Sequence, residues 1–279
     1  MSIDGTISVL QQNPAMPSLV QRMRPLFGSF GVVALQAPAH LQSRAFDDAF
    51  AQLTHVEQCM HPTREGSDLQ RLCAAPGREV RLDAATWEVL RQAKRLHRLS
   101  DGVFEPCLPG HDGGLEDLWL SDERPLACLA RPAAIDLGGI AKGYAVDRAI
   151  DALRAAGCSA GCVNAGGDLR VFGAQAFEVQ VRWSGAAHSP VRMRDDALAV
   201  SLAGPLGRPA EFRGYYVRGV PDAPVRMQAA VRATTAMVAD AMTKCALLCA
   251  PQVLATLLRI YGAELLTPPA ESREPLPAP

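Results

Sequence analysis

The chain has 279 residues, of which 48% are hydrophobic and 20% are charged, and its formal net charge is -1. This length and composition leave room for one large domain or two small ones, each with a proper core. The nearly neutral charge argues against a nucleic-acid or anionic-membrane surface, because both partners require a cationic face. No run of about 18 apolar residues occurs, so we expect no membrane span.

Helices are predicted in four parts of the chain. Apolar residues recur at helical spacing in 41–60 and again in 84–99, which is typical of amphipathic helices. A third helix is expected to begin near Lys142 and to end at Gly157, a residue type favoured after helix C-termini. Thr234 or Thr235 is expected to cap a fourth helix, which carries Asp240.

Strands and turns are predicted between these helices. Short or alternating apolar runs indicate strands at 31–36, 161–164, 169–172, 177–183 and 197–202. Glycine and proline predict turns at 100–102 and 165–167, a connection at 204–214 and a disordered tail at 268–279. The order of the elements predicts an α+β fold.

The chain termini and cysteines carry weaker signals. Residues 1–25 lack the basic start and apolar core of a signal peptide, and no cysteine follows that could anchor a lipid, so we expect a cytoplasmic protein. The eight cysteines are scattered without C-x-x-C pairs or flanking histidines. We therefore interpret them as small buried thiols, not as a zinc site or disulfide framework.

The stretch 134–173 is the most informative part of the chain, because it combines many glycines with carboxylates in a strand, helix, strand, turn, strand unit. Asp136 ends an apolar run, and Gly138 and Gly139 follow where the chain enters a helix. Side chains are thus removed where helix N–H groups point outward, which favours an anion or a carbonyl-rich ligand. Lys142 lies in the first helical turn, within reach of a phosphate.

Two common phosphate-binding loops do not match this spacing. The pattern is G-G-x-x-x-G rather than the dinucleotide fingerprint G-x-G-x-x-G, and Gly143 stands where a Walker A loop has Ser or Thr. A single glycine pair of this kind is more often only a tight connection between a strand and a helix. The whole string is much longer than such a connection needs.

The strings DLGGIAKGYAVD and VNAGGDLRVFG closely resemble the ApbE-type FAD:protein FMN transferases. Weaker matches are SDGVFEP at 100–106, TAMVADAMTKCALLCAP at 235–251 and the early Phe27-Gly28-Ser29. The resemblance implies Mg²⁺-dependent transfer of FMN from FAD to a Thr or Ser of a target flavoprotein, with release of AMP. It also implies one α+β domain of the T-fold type over 24–267, with antiparallel or mixed sheets and packed helices, preceded by a segment 1–23.

The resemblance also implies roles for individual residues. Asp240 and Lys142 match positions that act in the reaction, and the metal ion would be held by the Gly139 carbonyl, Asp240 and, by proximity, Thr243. Mg²⁺ commonly takes only a few protein oxygens and completes its shell with substrate phosphates. The implied FAD contacts are Phe27, Gly102, Val103, Phe104, Asp136, Gly138 and Lys142.

Two departures from the family pattern concern the chemistry more than the fold. Lys244 stands where the family has Thr four residues after the metal Asp, and 212–221 lacks the family's histidine. Lys244 could pair with Asp240 on an exposed helix face for only ~0.3 to 0.5 kcal/mol, or occupy the space of the ion inside a cleft. In the histidine-free segment Tyr216 could stack on a flavin, although an isolated tyrosine pair is more often strand packing.

These departures keep two further hypotheses open. One is a non-catalytic FAD- or FMN-binding protein, or flavin carrier, which kept the pocket and lost the chemistry. The other is a protein of the same architecture that binds no flavin.

Overall fold

A computed structural model of the chain describes residues 7–10, 19–183, 188–203 and 226–268. Its helices are α1 (Ala39–Cys59), α2 (Asp68–Cys73), α3 (Ala84–Leu99), α4 (Ala141–Ala155), α5 (Ala236–Leu248) and α6 (Pro251–Tyr261). Its strands are β1 (Ile7–Leu10), β2 (Val20–Leu26), β3 (Ser29–Gln36), β4 (Val80–Arg81), β5 (Leu118–Leu120), β6 (Leu126–Leu129), β7 (Ala160–Ala165), β8 (Asp168–Gly173), β9 (Phe177–Arg182), β10 (His188–Met193), β11 (Ala197–Leu202), β12 (Gln228–Ala233) and β13 (Glu264–Leu266).

A large antiparallel sheet with the order β13-β12-β11-β8-β7-β3-β2 separates two cores. One face is covered by helices, since α4 packs on β7 and β8 while α5 packs on β11 and β12. The other face is covered by the antiparallel sheet β1-β9-β10, through a core that includes Leu169, Val179 and Leu198. A third sheet, β4-β6-β5, lies beside α2. The predicted α+β fold with antiparallel sheets and packed helices is confirmed.

Most predicted elements occur where the sequence places them. Helix α3 and strand β11 have the predicted ends, and α1 begins two residues earlier than predicted. The Thr235 hydroxyl accepts the N–H of Val238 and caps α5, as expected. The helices α2 and α6 and the strands β1, β2, β4, β5, β6, β10, β12 and β13 were not predicted, and the predicted connection at 204–214 lies outside the described residues. Among the helices of the described ranges, none is both long enough and apolar enough to cross a bilayer.

Strand alternation places polar side chains on the helix-covered face of the large sheet. In β8, Leu169 and Val171 belong to the core between the two sheets, whereas Asp168 and Arg170 alternate with them and point toward α4. In β11, Ser201 likewise points toward α5, where it meets Thr243 at 2.7 Å. Because successive side chains of a strand point to opposite faces, these polar groups of β8 and β11 lie against the helices.

Helices α4 and α5 approach each other closely at one point. A Cβ atom at Gly143 would lie 2.2 Å from the carbonyl oxygen of Ala236, so only glycine fits there. One turn later, the Asp147 carboxylate accepts the N–H groups of Ala236 and Met237, both at 2.9 Å. It also accepts Nη1 of Arg170 at 2.7 Å. Asp147 thus ties the start of α5 to α4 and β8.

We expect Asp147→Ala to lower the free energy of unfolding by roughly 3 kcal/mol or more, because it leaves a buried arginine unpaired and two helix N–H groups unsatisfied. The matched control is Asp151→Ala on the same helix, since Asp151 is about half exposed and forms a salt bridge with Arg148. That control should cost at most ~1 kcal/mol. Urea unfolding measures both values, and equal losses would contradict the structural role of Asp147.

Candidate functional site

Four charged side chains form a row that runs from β8 through α4 to α5. Oδ2 of Asp168 lies 3.1 Å from Nζ of Lys142, and the same Nζ lies 3.9 Å from Oδ2 of Asp240. On the far side of Asp240, Nζ of Lys244 donates to Oδ1 at 2.6 Å. The signs alternate along the row, and the four formal charges cancel.

The row is shielded from water except at one member. The side chain of Asp240 is 0% exposed, that of Asp168 2% and that of Lys244 9%, whereas that of Lys142 is 22% exposed. Charges interact more strongly where water is excluded, so each member depends on its neighbours. Lys142 is thus the most exposed member of the row.

Lys244 uses all three of its ammonium hydrogens inside the protein. Besides Asp240, its Nζ donates to Oγ of Ser201 at 2.8 Å and to Oγ1 of Thr243 at 3.2 Å. An ammonium group has three N–H donors and no acceptor. The lysine is therefore fully satisfied in a nearly buried position, which excludes the exposed-face alternative left open by the sequence.

Thr243 is saturated as well. Its hydroxyl donates to the main-chain carbonyl of Asp240 at 2.6 Å and lies 2.7 Å from Oγ of Ser201. Because the Thr243 proton is used, the Ser201 hydroxyl is the donor of that second contact. With the bond from Lys244, both lone pairs of the Thr243 oxygen are occupied.

The charges of the row shift the pKa values of its members in different directions. Loss of water by burial raises the pKa of Asp168 to about 6, and the nearby charge of Asp240 adds to the rise, against the opposing effect of Lys142. Burial acts in the same direction on Asp240, but Lys142 and Lys244 outweigh it and lower its pKa. Burial alone would lower the pKa of Lys142, yet Asp168 and Asp240 raise it. Lys142 is therefore a permanent cation.

The turn before α4 orients Lys142. The Gly138 N–H donates to Oδ1 of Asp136 at 2.8 Å, and the Gly138 carbonyl accepts from Nζ of Lys142 at 2.8 Å. Gly138 is exposed and Gly139 is buried. Because α4 starts immediately afterwards, the ammonium group and the positive end of the helix dipole lie at the same place.

A cavity of about 330 Å³ opens beside this turn. Glu57 of α1 accepts the N–H of Phe27 at 2.6 Å and so fixes the hairpin turn between β2 and β3, where Phe27 and Gly28 both have positive φ. The cavity is lined by Phe27, Gly28, Val56, Glu57, Met60, His61, Pro62, Asp136, Gly138, Ala141 and Lys142. Its wall combines apolar surface with a few polar groups, as is usual for small-molecule sites.

The cavity gathers part of the residue set predicted to contact a ligand. Phe27, Asp136, Gly138 and Lys142 line it together, although Phe27 is distant in sequence from the others. Tyr216 lies outside the described residues. The turn at 136–142 is thus a cavity wall rather than only a connection.

The segment Gly102, Val103 and Phe104 is not part of the cavity wall formed by the described residues. Phe104 is 1% exposed, and its main chain is held by Oγ of Ser100 and by a contact to His97. This segment supports the site indirectly, since the Pro106 carbonyl accepts the N–H of Asp136.

The predicted metal ligands lie apart from the cavity surface. Asp240 and Thr243 are both 0% exposed and stand behind Lys142, and Gly139 is buried within the turn. Asp240 and Thr243 are close to each other, as their helical spacing predicts, but their oxygens are already engaged by protein groups.

Sequence reasoning missed Asp168, Ser201, Glu57 and His61. Asp168 directly follows the Gly-Gly turn, and strand alternation from Leu169 could have shown that it faces the helices. The other three reach the site only through long-range packing, which no local pattern signals.

Asp168 gives the fold a pH dependence whose sign follows from its raised pKa. The folded state holds this proton up to about pH 6, whereas an unfolded chain releases it near pH ~4. Between these two pH values the folded state binds more protons than the unfolded state. The contribution of Asp168 to the free energy of unfolding therefore falls as the pH rises from ~4 to about 6, and it is constant at higher pH. We expect the difference between wild type and Asp168→Asn, from urea unfolding at several pH values, to fall over that window; a rise would contradict the assignment.

Comparison with known proteins agrees with this architecture. The model of the ApbE family matches residues 28–127 and 111–265. The flavinyl transferase ApbE of Pseudomonas stutzeri, in its apo form, has 19% identity and a TM-score of 0.73, covering 89% of this chain and 90% of that one. The ApbE protein of Thermotoga maritima has 20% identity and a TM-score of 0.73, covering 89% and 94%.

A third similar structure is the flavin transferase ApbE of Vibrio cholerae, with 18% identity, a TM-score of 0.71 and coverage of 89% of this chain and 93% of that one. No curated protein sequence matches the chain. At these identities the solved structures establish the fold, while the family match extends over most of the sequence. The chain belongs to the ApbE family.

Proposed function

We propose that this chain is a flavin transferase that cleaves FAD and transfers its FMN half to a Thr or Ser hydroxyl of a target flavoprotein. The observation that carries the proposal is the Lys142 ammonium, held at the start of α4 on the wall of a cavity. A fixed cation and a helix N-terminus both favour the binding of a diphosphate. Asp136 fixes the turn that presents both.

The charge row keeps Lys142 effective as an anion site. Asp168 and Asp240 hold the ammonium from behind, so its direction is set before the ligand arrives. Such preorganised charge stabilises negative charge that grows on the diphosphate as its bond breaks, without a cost for reorientation. Asp240, which cannot touch the cavity, acts through Lys142 as a positioning residue.

The reaction needs no redox step. The acceptor hydroxyl oxygen attacks the phosphorus of the FMN half, a new O–P bond forms, and the diphosphate P–O bond breaks. AMP leaves with the electron pair of that bond, and the hydroxyl proton is released. When water replaces the protein hydroxyl, the products are FMN and AMP.

The cavity has room for only part of FAD. Its volume of about 330 Å³ lies at the lower end of the range for small-molecule sites. The polar groups at Asp136 and Lys142 suit the diphosphate, while Phe27, Val56 and Met60 offer apolar surface to an adjoining ring. The remainder of the dinucleotide extends out of this cavity.

Magnesium, which the family resemblance implies on Gly139, Asp240 and Thr243, does not fit the described residues. Each oxygen of Asp240 already accepts a hydrogen bond, Oδ1 from Lys244 and Oδ2 from the Gly143 N–H at 3.2 Å. The ammonium groups of Lys142 and Lys244 also lie on either side of the carboxylate, where they would repel an incoming cation. The Thr243 oxygen is saturated. The proposed chemistry therefore uses the chain's own cation, Lys142, and no step is assigned to a metal ion.

A second candidate function is a non-catalytic flavin binder or carrier. The occupation of Asp240 by Lys244 favours it, because the carboxylate cannot take part directly in catalysis. AMP separates the two functions: a transferase releases it from FAD, and a carrier binds FAD without releasing it under any metal condition.

We expect Lys142→Met to reduce AMP release from FAD by about 100-fold or more, because Lys142 is the one lysine or arginine among the described residues of the cavity wall. Lys142→Arg keeps the charge and should retain more activity. The control is Lys94→Met on α3, which should leave the rate unchanged. AMP is quantified by chromatography after circular dichroism has confirmed folding, and equal rates for Lys142→Met and wild type would refute the catalytic role.

We expect Ala141→Leu to weaken FAD binding by about tenfold or more, because Ala141 lines the cavity and a larger side chain fills it. The matched control is Ala155→Leu at the exposed end of the same helix, which should bind FAD as the wild type does. Flavin fluorescence titration measures both affinities. If both variants bind equally well, FAD does not occupy this cavity.

A further inference from the structure

Lys244 is bound by its surroundings as a cation in a coordination site would be. Three oxygens, from Asp240, Ser201 and Thr243, lie 2.6, 2.8 and 3.2 Å from its Nζ. One of them belongs to the negatively charged carboxylate of Asp240, and the side chain of Lys244 is only 9% exposed. This oxygen cage on α5 and β11 is complete, and its centre is an ammonium group.

The charge balance of the row leaves no place for a further cation. Two carboxylates and two ammonium groups cancel, and three of the four side chains are less than one-tenth exposed. A divalent ion that entered next to Asp240 without a substrate would leave an uncompensated charge of +2 in a site from which water is largely excluded, which is strongly unfavourable.

The position of Lys142 also blocks the approach of a cation from the cavity to Asp240. Lys142 stands between the cavity and Asp240, with its Nζ 3.9 Å from Oδ2. An ion that bridged Asp240 to a ligand in the cavity would have to displace Lys142, Lys244 or both. Each lysine has at least two oxygen neighbours that would then lose their partner.

We propose that Lys244 is a built-in cation that takes the place of a divalent metal ion beside Asp240, so that this chain handles its diphosphate substrate without a divalent metal. The inference rests on the proposed function for the identity of the substrate. Lys244 is a positioning residue in this scheme. It neutralises Asp240 from the side away from the cavity, which leaves Lys142 free to present its charge to the ligand.

The decisive experiment measures metal binding rather than turnover. Mn²⁺, which prefers the same oxygen ligands as Mg²⁺ and has an EPR signal when free, is titrated into wild type, Lys244→Thr and Lys244→Met, with and without FAD. In the presence of FAD, the reference is Mn²⁺ binding by FAD alone. AMP release is measured in parallel with Mg²⁺ and with EDTA.

We expect the wild type to bind no Mn²⁺ beyond the amount that FAD binds. Lys244→Thr removes the cation and adds a hydroxyl, so it should bind Mn²⁺ with a Kd about tenfold or more below the weakest Kd that the titration can detect. Asp240→Asn, combined with Lys244→Thr, should remove this gain. Lys244→Met fills the space without charge and should gain no site, and Lys94→Thr controls for loss of a lysine elsewhere. Wild-type AMP release should be the same in EDTA and Mg²⁺.

Two results would overturn the inference. One is Mn²⁺ binding by the wild type that Asp240→Asn abolishes, and the other is loss of wild-type AMP release in EDTA with recovery in Mg²⁺. If Lys244→Thr fails to fold, the inference is still tested by comparing Mn²⁺ binding of the wild type with that of Asp240→Asn. If no protein releases AMP under any condition, the proposed transferase function fails, while the Mn²⁺ titrations test Lys244 independently.

Discussion

The structure of the site depends on neutralising Asp240 in a place that water does not reach. A fully buried carboxylate is tolerated only with charged or hydrogen-bonding partners, and Asp240 has them on both sides, with Lys142 toward the cavity and Lys244 toward β11. Lys142 in turn needs a partner of opposite charge, which Asp168 provides. Helices α4 and α5 and strand β8 must therefore keep their spacing for any member to remain stable.

That spacing is fixed by backbone contacts rather than by the charges themselves. Gly143 lets α4 approach α5 within a distance that any side chain would prevent, and its N–H reaches Asp240 at 3.2 Å. Asp147 holds the first N–H groups of α5 one turn away. The glycines of the family-like string thus have different tasks: Gly143 serves helix packing, and Gly138 serves the cavity wall.

The elements could be predicted from sequence because their signals are local. Helix α3 and strand β11 follow from apolar periodicity alone, and the cap at Thr235 from one residue type. Asp136, Gly138 and Lys142 could also be predicted as parts of one site, because they are close in sequence at the turn before α4. Phe27, in a distant hairpin, was predicted only through the family resemblance, and Glu57 of α1 was not predicted, because no spacing rule connects either residue to that turn. The burial of Lys244 was equally hidden, because an i, i+4 pair reads the same on a surface and in a core.

In the proposal for position 244, one side chain determines which group carries the positive charge beside Asp240. The Lys244 cation sits on the side of Asp240 that faces β11, where the 0% exposed carboxylate separates it from the cavity. It therefore cannot touch a phosphate, as a mobile metal ion shared between Asp240 and a substrate would. In the proposed reaction, Lys142 and the start of α4 are therefore the described groups that would contact the diphosphate. An ammonium on a side chain cannot follow the leaving group as an ion can, so a site of this design relies on the fixed geometry of the turn at Asp136 to place the substrate.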